Sequence, residues 1–152
     1  MRHRRLGGDA GAATTELVIV LPTLLFFLLF IVQLGLYFHA INVASAAAQE
    51  GAHEASLSLA GSATPDRGAA VRSGQDTAED FVDRFAPDLL GGVQAQGSVV
   101  DAGESVRMTV SGAVAQTIVI PGLDFGISVN ETAESPIERF RPPGQAPVDT
   151  SP

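Results

Sequence analysis

The chain has no cysteine and no tryptophan, and no lysine either, since all nine of its basic residues are arginine. The missing cysteine excludes a disulfide framework and a thiolate metal site. A formal net charge of −8 with no lysine makes the chain a poor nucleic-acid binder. Also missing are a phosphate-cradling glycine loop, a nucleophile elbow and a convincing catalytic pair of histidine and carboxylate. The reading is therefore not an enzyme, with no cofactor and no metal. Glu50-Gly-Ala-His53 has the Glu-x-x-His spacing of a helical di-metal site, but the second copy and further carboxylates such a site needs are absent, so a solvated helix face is the better reading.

The chain does contain one long charge-free run, Leu17 to Phe38, interrupted only by Pro22, Thr23, Gln33 and Gly35. At roughly 1.5 Å per residue it matches a hydrocarbon core of about 30 Å, and it lacks the polar face of a soluble core helix. It reads as a membrane-spanning helix, with Pro22 as a candidate bend. Arg2, Arg4 and Arg5 precede it and most acidic residues follow it. A basic flank stays cytoplasmic, which puts the N-terminus inside and the C-terminal domain outside. A rival reading is a secretory signal cut after Ala44-Ser45-Ala46. The apolar run exceeds the usual h-region of about 7–15 residues, which favours a retained helix.

Beyond Phe38 the pattern becomes amphipathic. Ile41, Ala44, Ala48, Ala52, Ala55 and Leu59 fall on one face, with Asn42, Ser45, Gln49, Glu50, His53 and Glu54 on the other. A helix from about Thr14 to Leu59 would be close to 70 Å long, so half of it stands outside the membrane; Gly61 and Pro65 end it. His39 falls at the interface beside Tyr37. A second helix is signalled by Thr64 as N-cap, Pro65 at its first position, and Val71, Ala78, Phe81, Val82 and Phe85 on one face. Gly68 and Gly74 weaken its first half, leaving Thr77 to Ala86 firmest, and Pro87 closes it. From Val93 the period becomes two. Strands are expected at about 93–100, 105–119 and 124–133, with a turn at Asp101-Ala102-Gly103-Glu104. They make an α+β fold: a long N-terminal transmembrane helix continuing into a small domain, where a second helix helps cover a three-stranded antiparallel sheet. The expected divisions are a basic leader at 1–11, the helix and its extension at 12–60, the α+β domain at 61–141 and a disordered proline-rich tail at 142–152.

At the lip of the apolar run stands Gly11-Ala-Ala-Thr-Thr-Glu16, continuing as Leu-Val-Ile-Val-Leu-Pro22. This junction resembles the N-terminus of TadE-like pseudopilins, minor subunits of tight-adherence (Tad, Flp-type) pili in the type IV pilin superfamily. Ala48-Gln-Glu50-Gly51-Ala52-His53 is similar to that family's Arg-Glu-Gly-Ala-Arg segment, with Gln49 and His53 standing where it has arginine. Ser135-Pro-Ile-Glu-Arg139-Phe resembles the end of its last strand. The resemblance implies a leader cut after Gly11 by a prepilin peptidase, with Ala12 as the new N-terminus and Glu16 as the subunit-pairing carboxylate. It also implies pilus assembly or priming in the cell membrane or the pilus, with other pilin-like subunits and the Tad assembly machinery as partners. A carboxylate bordering a bilayer core is costly unless paired, and the α-amino group of a neighbouring subunit is a suitable partner. Glu16 also reads as a first-turn residue favoured by the helix dipole, with Thr14 or Thr15 as cap. The alternative function is a permanently anchored envelope protein with a ligand-binding outer domain and an uncleaved anchor.

Overall fold

A computed structural model describes residues 9–61, 66–115 and 126–138, with side chains from residue 16 onward. One helix dominates it: α1, Asp9–Ala60, 52 residues and so about 78 Å long. It begins earlier than the sequence suggests, which places Thr14 and Thr15 inside the helix rather than at its cap. It ends as expected, with the Gly61 N–H donating to the Leu57 carbonyl at 3.0 Å. Its outer half carries the anticipated stripe. Ala40, Val43, Ala44, Ala47, Ala48, Ala52, Ala55 and Leu59 are buried, while Gln49, Glu50 and His53 face solvent.

The second helix, α2, spans Arg67–Phe85 and buries Ala70, Gly74, Ala78 and Val82, one residue per turn. Its cap is Asp66 rather than Thr64: the Ala69 N–H donates to Asp66 Oδ1 at 3.1 Å. Thr64 and Pro65 lie outside the described residues. Asp66 meets the same need two residues later, supplying an oxygen to an N–H that has no acceptor within the helix. Phe85, expected on the buried face, is 56% exposed. It lies beyond the last buried position and packs on Phe81, with ring centroids 4.5 Å apart.

Three strands follow: β1, Leu90–Val100; β2, Ser105–Val114; and β3, Ser128–Pro136. They form an antiparallel sheet in the order β1-β2-β3. β1 starts three residues before Val93 because a register shift between Gly91 and Gln94 interrupts the alternation there. The β1–β2 turn is the expected Asp101-Ala102-Gly103-Glu104, with positive φ at its first three residues. Val106, Met108 and Val110 point inward with Val129, and Arg107 and Thr109 point outward. On the outer face, in register, Thr109 bonds Thr132 at 2.9 Å and Arg107 pairs with Glu134 at 2.5 Å. The stretch 116–125 and the tail 142–152 lie outside the described residues, as does Phe125.

Both helices cover the inner face, and the core between them is made of small side chains. Its largest fully buried members are Met108, Val82, Val106 and Val110. Small residues let the backbones approach, most of all at the crossing of the two helices. A Cβ placed on Gly51 would lie 2.5 Å from the Gly74 carbonyl oxygen and 2.9 Å from Ala78 Cβ. Ser56, the one buried polar side chain among the described residues, donates to the His53 carbonyl at 2.8 Å and is hydrogen-bonded to Ser135 Oγ at 3.0 Å.

Candidate functional site

The residues expected to carry function lie on α1. Gly11 and Ala12 lie in its first turn. The opening N–H groups of a helix have no acceptor inside it, so this end frays most readily, and glycine is about 1 kcal/mol less favourable than alanine in a helix. Glu16 is exposed and has no hydrogen-bond or ion-pair partner among the described residues. Among the described residues, nothing pairs this carboxylate at the edge of the apolar run.

Next comes the run itself. Leu17 to Phe38 carries exposed large side chains throughout, from 68% at Ile19 to 43% at Leu34. α1 is long and apolar enough to cross a membrane, and none of its most apolar window is buried. An apolar surface of that extent marks a membrane or protein contact. α1 continues through Pro22, whose ring removes the backbone bond to Val18. One residue on, Thr23 Oγ1 donates to the Ile19 carbonyl at 3.1 Å. The hydrogen-bond ladder is therefore weakest here.

At the upper end of the run the domain reaches down to meet the helix. Phe30, Gln33, Leu34, Tyr37 and Ile127 line a groove of about 210 Å³. The Gln33 side-chain amide donates to the Ala115 carbonyl at 3.3 Å. In the sequence Gln33 reads only as an interruption of the apolar run. A long amide side chain in a charge-free run was the available signal, but nothing in the sequence names its partner, 82 residues away.

Other expectations have plainer outcomes. Glu50 and His53 are exposed, and no group of three His, Asp or Glu residues able to hold a metal occurs among the described residues. The Ala44-Ser45-Ala46 segment of the secretory reading is helical, and Ala44 is buried. A cut there would strip Ala40, Val43 and Ala44 from the core. Of the segment Gln49 to His53, only Gly51 and Ala52 are buried, and Gly51 is where the helices cross.

Comparison with known proteins supports the resemblance read from the sequence. Residues 11–53 match the family described as TadE-like protein. The matched stretch lies wholly within α1 and takes in Gly11, Glu16, the apolar run, the Gln33 tie and the Gly51 crossing. No curated protein and no solved structure matches the chain.

Proposed function

We propose that this chain, TadE-like over residues 11–53, is a pseudopilin that assembles or primes a Tad-type pilus from the membrane. The observation that carries the reading is the coincidence of that match with a carboxylate, Glu16, exposed and without a partner among the described residues, at the lip of an exposed apolar helix. The family is one of pilus components rather than enzymes, which agrees with a chain whose chemistry lies in association.

In this reading Met1 to Gly11 is a leader removed by a prepilin peptidase. The peptidase takes an extended backbone, so the first turn of α1 must open, and Gly11 both lowers that cost and brings no side chain into the cleft. Ala12 then supplies a free α-amino group. Glu16 of one subunit pairs with that group on a neighbour, where the low dielectric strengthens the attraction and makes either charge costly alone. The helix slides from bilayer to filament through its exposed apolar surface and flexes at Pro22. Other pilin-like subunits and the Tad assembly machinery are its partners.

Mass spectrometry of the N-terminus from the native host tests the first step. Mature protein should begin at Ala12, and Gly11→Val should accumulate precursor, because a branched side chain crowds the cleft. An intact leader in peptidase-positive cells would instead establish a permanently anchored envelope protein. The second step is separated from the first by Glu16→Gln, which keeps size and helix propensity but removes the charge. It should be cut and retained in the membrane yet fail to co-purify with other pilin-like subunits. Unimpaired assembly of that variant sinks the pairing role.

A further inference from the structure

The span and the domain meet at a definite depth. Glu16 fixes one end of the apolar run, since a carboxylate stays at the rim, so a hydrocarbon layer of about 30 Å ends close to Tyr37 and Phe38. At roughly 1.5 Å per residue Gln33 then lies about 7 Å inside Phe38, below the boundary. Two separate points of the domain reach that level. The Ala115 backbone is bonded to Gln33, and Ile127 lines the groove with Phe30, Leu34 and Tyr37. The chain joining them, Gln116 to Phe125, reads QTIVIPGLDF and holds one charge, Asp124.

The same end of the domain carries apolar side chains away from the helix. The Ala115 N–H donates to the Leu89 carbonyl at 2.8 Å, which places the α2–β1 connection here, and Phe85 is exposed just before it. Arg84 and Asp88, also exposed, suit the headgroup layer around an apolar base. The groove is lined mainly by apolar surface, and of its two side chains with a polar group, Gln33 and Tyr37, Gln33 already donates to Ala115, so the lining offers water little. Its surface is continuous with the exposed run of α1.

We infer that the domain does not stand clear of the bilayer but is seated in it: its base at Ala115, Ile127 and Phe85 sits in the leaflet on the domain's side, and the Phe30–Ile127 groove takes a lipid acyl chain. This rests on the membrane placement of α1 and is independent of the pilus role.

Because the chain lacks cysteine, single-cysteine variants of the full-length protein carry one spin label each. In vesicles of phosphatidylethanolamine and phosphatidylglycerol, collision with oxygen reports lipid and collision with a soluble nickel chelate reports water. Leu25→Cys is the lipid reference and Thr132→Cys the aqueous one. Labels at Ala115→Cys and Phe85→Cys should give an oxygen-to-nickel ratio several-fold above that of Thr132→Cys, approaching that of Leu25→Cys. A ratio at Ala115→Cys equal to that at Thr132→Cys overturns the inference while leaving the anchor intact. Protection from both reagents overturns it as well, since the occupant would then be protein. Nickel access at Leu25→Cys would overturn the anchor itself.

Discussion

Two glycines of α2 show how far a residue's type falls short of its role. Gly68 and Gly74 both weaken a helix by propensity, and the sequence offers no means of separating them. The structure separates them by neighbours. A Cβ on Gly74 would press on the Gly51 carbonyl and lie 2.9 Å from Ala55 Cβ and 3.0 Å from Met108 Cε. One on Gly68 would meet only the end of the Arg72 side chain at 3.3 Å and Asp66 Oδ1 at 3.4 Å. Gly74→Ala should therefore destabilise by about 1–3 kcal/mol, because backbone and buried methyls cannot yield cheaply. Gly68→Ala should stabilise by a few tenths to about 1 kcal/mol, because a flexible guanidinium can move aside. Thermal unfolding of the two variants should give shifts of opposite sign, and equal signs would refute the crossing as the reason for Gly74. Gly51 carries the same constraint from the other side, and its neighbours in sequence gave no hint of it.

At the level of elements, the apolar alternation of β2 was legible because one face is buried and the other wet. The start of β1 was not, since Gly91 and Gly92 supply no side chains from which to read a period. Nor could the treatment of that strand's free edge be read. β1 is an outer strand, and at Ala95 both outward backbone groups are taken by α2. The Ala95 N–H donates to Glu79 Oε1 at 3.0 Å, and Gln75 Nε2 donates to the Ala95 carbonyl at 3.0 Å. Two polar side chains on a helix read as a solvated face, yet here they block the position where another strand would add. Glu79→Leu should cost about 1 kcal/mol or more and speed hydrogen exchange at the Ala95 amide. Glu79→Gln, whose amide oxygen still accepts, should restore both. If exchange at Ala95 is unchanged in Glu79→Leu, the tether is not holding the edge. The contrast with Arg107–Glu134 is one of setting: that pair is half exposed on the wet face and contributes under about 1 kcal/mol.

For the whole molecule, orientation follows from charge rather than contacts. Arg2, Arg4 and Arg5 on one side of the run and the acidic domain on the other predict a cytoplasmic N-terminus. A reporter active only outside the cytoplasm should work when fused after Arg141 and fail when fused before Gly11; the reverse would invert the arrangement. The helix long and apolar enough to cross a membrane was the most legible part of the chain, being composition and length alone. What composition could not convey is how α1 lies on the sheet. Ile127 sits by Gln33 to Tyr37, and Ser135 bonds Ser56. From Tyr37 to Ser56 the helix rises about 29 Å, and from Ile127 to Ser135 the strand rises about 26 Å, so the two run side by side. Antiparallel ladder bonds lie across the strands. A pull along α1 therefore loads the rungs between β2 and β3 together, in shear, instead of opening them one after another from an end. Such an arrangement should resist tension along α1 better than sideways peeling of the sheet.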